Sequence, residues 1–120
     1  MIRRHRVTYR GDVPVSASVS WFRGSLAEAA PRLLENARIT EGTPRYIEEM
    51  TGNSVTSGRD QLTAACADEH EAASLGIQAD APVLRGRNWF YGAEGNVIEY
   101  GESVAVAGRW ASYEYLVSHD

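Results

Sequence analysis

The chain has 120 residues, 43% hydrophobic and 23% charged, with a net charge of −4. That is one domain with apolar mass enough for a core, and no apolar run nears the roughly 18 residues of a membrane span. An acidic balance argues against nucleic-acid binding by the chain as a whole, and a lone cysteine, Cys66, excludes an internal disulfide.

The N-terminus, Met1-Ile2-Arg3-Arg4-His5-Arg6, lacks the apolar centre of a signal peptide. With one cysteine, this points to a reducing, cytoplasmic setting. Residues 3–10 and 13–22 read as two strands joined at Gly11-Asp12, because Val13 to Trp21 alternates with period two. Arg3, Arg4, His5, Arg6 and Arg10 crowd the first strand; a solvated strand face is the plain reading, a phosphate-touching arm the sharper one. Pro14 puts the start of the second strand at an edge or at its first residue.

Ser25-Leu26-Ala27-Glu28 has the spacing of a capping box and opens a helical region over 26–37, interrupted at Pro31. Leu33, Leu34 and Ala37 continue its apolar stripe. Thr43-Pro44 reads as an N-cap followed by proline at the first helical position. Tyr46, Ile47 and Met50 give that helix, 44–51, a buried side, and Gly52 ends it. A polar-rich third strand follows over 54–65. Asp68 and Glu71 repeat the capping-box spacing at a helix over 69–75, with Gly76 at its C-terminal end.

The last forty residues read as three hairpin-linked strands, 81–91, 97–106 and 109–117, with turns at 92–96 and at Ala107-Gly108. The middle one carries Glu99, Gly101 and Ser103 on one face, which places polar groups where a core is expected. Hairpin connections dominate, so the sheet is expected to be mostly antiparallel, of five to seven strands, with helices packed on it: an α+β domain.

Little recognisable catalytic chemistry is present. His5, His70 and His119 lie far apart, with no cysteine at metal-ligand spacing. Glu48 and Glu49, adjacent on a helix, point about 100° apart and form no acid/base pair. Gly92 to Asn96 sits between strands and reads as a turn in preference to a phosphate loop. Cys66 reads as a small packing residue, and no cofactor is implied. Three features remain. Thr43 stands at a helix start, where N–H groups can meet an anion. Arg6, Arg59, Arg85 and Arg87 lie inside strands, where arginine meets water, an acid or a ligand. Glu99 stands mid-strand between Ile98 and Tyr100.

The residues also resemble a family. Ala67 to Leu84, through Asp68-Glu69-His70-Glu71, Leu75-Gly76-Ile77 and Ala81-Pro82-Val83-Leu84, is similar to the "A…A..L.I..G.PVL" core of UTRA domains, the effector-sensing halves of the HutC subgroup of GntR-type bacterial transcription regulators. Gly95 to Ser103 resembles that family's "G.P.EY..S", and Gly108-Arg109-Trp110 its terminal "(G/D)RY". Arg10 to Pro14 resembles the "..DG.P" hairpin, and Gly42-Thr43-Pro44 through Gly52 the "S.Y..L…..G" helix. The resemblance spans nearly the whole chain.

It implies a chorismate-lyase-like α+β fold whose helices cover a ligand cavity, and a domain that binds a small metabolite, often a phosphorylated sugar or an amino-acid derivative. Such a domain re-spaces an attached winged helix-turn-helix dimer on DNA. Residues 1–120 contain no winged-helix segment, so DNA contact is expected only through a domain absent from this chain. By the resemblance Arg6 matches the first arginine of an Arg-x-Arg strand, Thr43 an anion-holding hydroxyl and Glu99 a ligand-contacting strand glutamate, with Ser103 next on its face; Arg59 and Arg87 join them as candidate ligand contacts. Thr8 replaces the second arginine, Ser18 an acidic residue and Ala105 an aromatic, which favours a larger or less charged effector over a phosphosugar. The resemblance also implies a homodimer. Two other readings stand beside a binding domain: a chorismate-lyase-like enzyme using Arg59, Arg87 and Glu99, and a dimerisation module whose inner polar residues pair with one another.

Overall fold

Period-two alternation governs most of the chain. The computed structural model, which describes residues 1–118, turns it into five strands and three α-helices among those residues. In chain order they are β1 (Ile2–Arg10), β2 (Val13–Phe22), α1 (Leu26–Ala29), a 3₁₀ turn (Pro31–Leu34), α2 (Thr43–Thr51), β3 (Val55–Cys66), α3 (Glu69–Leu75), β4 (Pro82–Gly92) and β5 (Val97–Val106). One sheet holds all five in the order β1-β2-β5-β4-β3, and every pairing is antiparallel. The α+β expectation therefore holds. Of the three histidines, His119 lies outside the described residues.

Both sheet faces are partly covered, at opposite ends. On one face Ile2, Phe22 and Ile98 pack against Ala30, Leu33, Ile39, Tyr46 and Ile47. On the other, Ala17, Val83 and Val104 pack against Ala72 and Leu75 of α3. The split follows from register: Phe22 stands opposite Glu99, while Ala17 stands opposite Val104, an odd number of residues along.

The signals flanking α3 are realised in full. Asp68 Oδ1 accepts from the Glu71 N–H at 2.7 Å, Glu71 Oε1 accepts from the Asp68 N–H at 3.0 Å, and Gly76 closes the helix at φ 66°. Arg85 of β4 then clamps the helix to the sheet, donating to both Glu71 carboxylate oxygens at 2.9 and 2.7 Å. That pair holds the Glu71 carboxyl below its ordinary pKa. Asp68→Ala should cost about 1 kcal/mol in thermal denaturation, the usual value of an N-cap; an unchanged melting temperature would mean the cap is redundant with the Arg85 clamp.

Several expectations fail, each for a local reason. The helical region over 26–37 shrinks to α1 and a 3₁₀ turn, because Ala30, held ahead of Pro31, adopts φ −132° and ψ 67°. Ser25 makes no side-chain cap: at φ −60° and ψ −20° it already has helical backbone and lacks N-cap geometry. Leu34 and Met50 (49% exposed) lie outside the core, and Cys66 is exposed. Pro14 is the second residue of β2, and β2 is an inner strand. Its pairing with β5 begins only at Ser16, so Pro14 has no β5 neighbour to need its missing N–H.

The strand expected over 109–117 does not form. Those residues carry no strand pairing, and Trp110 is 98% exposed. A hairpin out of β5 is impossible in this sheet, since β2 and β4 already occupy both of its sides.

Candidate functional site

Glu99 is the one buried charged side chain among the described residues, 6% exposed. Register puts it there, since Glu99 pairs with Phe22 of β2 and shares its sheet face, and a bulge brings Ile98 to the same face. Phe90 pairs with Glu99 and Tyr91 with Val97, which leaves Ile98 without a partner across the ladder. Such an insertion breaks the alternation and lets neighbouring residues turn the same way. Ile98 joins the Phe22 cluster, and Glu99 enters the adjoining cavity.

That cavity is about 840 Å³. Its floor is the sheet, where Arg4 pairs with Ser20 and Ser20 with Gly101, and Arg6 pairs with Ser18 and Ser18 with Ser103. Of these, Ser18 and Ser20 line the cavity, and their short side chains leave space that larger ones would fill. One wall is the segment 33–39, and one end is the start of α2 at Gly42, Thr43 and Pro44.

Arg4 builds the wall. Its Nη1 donates to the carbonyl oxygens of Arg32, Leu33 and Glu35 at 3.1, 3.0 and 3.0 Å, and Nη2 donates to that of Ala37 at 2.8 Å. One planar guanidinium thus serves four carbonyls of a segment that has no regular ladder of its own. Arg32 secures the far side: Nη1 meets Glu41 Oε2 at 2.9 Å, its guanidinium stacks over Tyr46 at 4.9 Å, and its N–H donates to the Tyr46 hydroxyl oxygen at 2.9 Å.

The helix start differs from the sequence expectation. Gly42, at φ 87°, is the cap residue of α2, and Thr43 is its first helical residue. Its hydroxyl does not cap; it donates to Glu99 Oε1 at 2.5 Å. Burial pushes the Glu99 carboxyl above its ordinary value, against the opposing pull of the Thr43 and Ser20 hydroxyls and of the Arg4 and Arg6 charges. The arrangement can bind a polar small molecule: an acceptor in Glu99, cations in Arg4 and Arg6, and hydroxyls from Ser18, Ser20 and Thr43.

Of the six predicted site residues, the structure brings Arg6, Thr43 and Glu99 to this cavity. Ser103 is in register with Ser18 and Arg6 yet borders a second cavity of about 890 Å³ beside α3, as does Arg87. Arg87 donates to Gln61 Oε1 at 2.6 Å and stacks over Trp89 at 5.4 Å. Arg59 stacks over the same ring at 5.8 Å. Both arginines belong to the sheet face opposite Glu99, because Arg59 pairs with Trp89 and Arg87 with Glu102. Arg4, Ser18 and Ser20 were missed as site residues. The available signal was parity: Arg4 and Arg6, two apart on one strand, share a face, and both line the cavity. Among the described residues no cluster of three metal-ligating side chains occurs, and no helix is long and apolar enough to cross a membrane.

The UTRA domain family matches residues 1–110. Among solved structures the chain is similar to a GntR-family transcriptional regulator from Enterococcus faecalis V583, at 23% identity and TM-score 0.79, covering 95% of this chain and 79% of that one. It is similar to the effector domain of PhnF from Mycobacterium smegmatis, at 22% identity and TM-score 0.75, covering 97% and 69%. The C-terminal domain of Yurk from Bacillus subtilis subsp. subtilis str. 168 gives 12% identity and TM-score 0.72, covering 86% and 69%. At such identities the likeness speaks for the fold. The search of curated proteins gave no match.

Proposed function

Because the chain belongs to the UTRA domain family, we propose that residues 1–120 form one effector-binding domain of a GntR-type transcription regulator, of the HutC subgroup. In this reading a winged helix-turn-helix outside these residues contacts DNA, the regulator is a cytoplasmic homodimer, and the domain is a sensor without enzymatic turnover. The observation that carries it is Glu99: a buried carboxylate facing a roomy cavity beside two arginines, with a short hydrogen bond from Thr43. A collapsed dimerisation module would have no such space. A lyase would draw its cations from Arg59 and Arg87, which belong to the opposite sheet face from Glu99, and of the two arginines beside Glu99, Arg4 is committed to the cavity wall.

The effector would be a small polar metabolite with an anionic end toward Arg6 and a hydroxyl or amine that takes the Glu99 carboxylate from Thr43. Arg4 spends its hydrogen bonds on the cavity wall, which leaves Arg6 as the freer cation and favours a singly anionic ligand, such as an amino-acid derivative, over a phosphorylated sugar.

Glu99→Gln tests the reading, after a thermal-shift screen of amino-acid derivatives and phosphorylated sugars has supplied a ligand. Affinity should fall by about 1–3 kcal/mol, the range for losing a charged hydrogen-bond partner. Without ligand, the variant should not lose stability at neutral pH. A carboxyl whose pKa is raised on folding contributes stability below its ordinary range and loses it as pH rises through the folded pKa. The parent should therefore gain stability relative to Glu99→Gln as the pH falls from neutral toward the ordinary carboxylate range. A destabilised but normally binding variant would make Glu99 a structural partner and remove it from the site.

A further inference from the structure

Residues 109–117 alternate like a strand, and the sheet of their own chain has nowhere to put them. The sheet order sets β5 in the centre, two strands from either edge. With strands about 4.8 Å apart, a new strand outside β1 or β3 would lie roughly 14 Å from β5. Three extended residues, from Val106 to Arg109, span at most about 10–11 Å. A hairpin-length connection at Ala107-Gly108 therefore cannot carry this segment to an edge of its own sheet. The segment carries no strand pairing, and Trp110, Tyr113, Tyr115, Leu116 and Val117 are all exposed.

The whole chain shows the same shortfall. Its accessible surface is 8585 Å², where a compact chain of this mass exposes roughly 6400 Å². Its radius of gyration is 16.0 Å, against roughly 13.6 Å for a compact domain of this length. The excess, on the order of 2000 Å², is what one protomer contributes to a large permanent interface.

The two sheet edges differ. β1 carries three arginines and a histidine in its first five residues, and Arg4 ties it to the 32–37 segment that rises beside it. β3 is twelve residues long, without proline or lysine, and exposed along most of its length, Leu62 included. Edges of that kind are the ones that accept another strand.

We propose that residues 109–117 of one copy of this chain pair with the β3 edge of a second copy as its sixth strand, and that the exchange is reciprocal. The occupant is a second copy because the segment fails to reach any edge in its own chain, while the same edge recurs in every copy. Strand addition satisfies the outward N–H and C=O groups of β3 and covers Leu62 with the tail's aromatic residues.

Sedimentation of the chain at tens of micromolar, beside Tyr113→Pro, tests this. Tyr113 is 66% exposed in the single chain, so proline there leaves the fold intact, with thermal denaturation as the check, while it removes a ladder donor. The parent should be a dimer, and the variant's dissociation constant should rise at least tenfold. A monomeric parent overturns both this inference and the dimeric reading above. A dimer indifferent to Tyr113→Pro overturns the strand addition alone. Cross-linking gives a second readout through Cys66, which ends β3 and is exposed. Single cysteines at 111, 113 and 115 should include at least one that forms a disulfide between chains, lost in Cys66→Ser. A disulfide closed within one chain, or none at any position, overturns the proposal.

Discussion

Arg4→Met should destabilise the domain by about 2–3 kcal/mol, more than any other surface-facing substitution in the first strand. The four carbonyls that its guanidinium serves belong to Arg32, Leu33, Glu35 and Ala37, of which that of Arg32 also accepts the Glu35 N–H at 3.1 Å. Methionine keeps the aliphatic reach and removes all the donors. The magnitude is that of one charge-assisted cluster lost from a partly buried site, with water recovering some of the carbonyls. Arg4→Lys should fall between, since an ammonium has three donors and no planar fork. Arg6→Met, at an exposed position, should change stability by less than about 0.5 kcal/mol. Effector binding should weaken in both methionine variants, through a loosened wall in one and a lost charge in the other. Urea denaturation of the three variants checks the ranking; equal stabilities for Arg4→Met and Arg6→Met would show that the wall stands without its clamp.

Phe22→Ala should cost more, about 3–5 kcal/mol, the range for removing a buried aromatic ring. Phe22 is 2% exposed and packs with Leu33, Tyr46, Ile47 and Ile98. It also pairs with Glu99, so the same side chain supports the layer beneath the cavity. The control is Val97→Ala, two residues before Glu99 but 39% exposed, with an expected cost below about 1 kcal/mol. Calorimetry or urea melts separate the two, and a Phe22→Ala cost near 1 kcal/mol would mean that this layer repacks freely.

Strand positions were legible in the sequence because alternation and turn residues are local signals. β4 and β5 emerged almost to the residue, and α3 emerged whole because Asp68, Glu71 and Gly76 each act within one turn. What failed was non-local. Nothing near Arg109 reveals that both sides of β5 are taken; that follows only from β2 pairing with a strand some eighty residues away. The site was half legible for the same reason. Arg6, Thr43 and Glu99 were found one by one, but Arg59 and Arg87 were grouped with them although strand parity puts those two on the other face. Arg4 was overlooked because its partners are backbone carbonyls, which leave no mark in composition.

The unpaired Ile98 has a further consequence for how such a domain can change over generations. A regular strand sends consecutive side chains to opposite surfaces, so altering a ligand contact usually perturbs its flanking positions from the other side of the layer. At this irregularity the greasy tenant and the acidic one live next door, each in its own room. Position 99 can therefore change its chemistry toward the cavity while position 98 keeps the interior intact, so the lining can diverge without first renegotiating the fold.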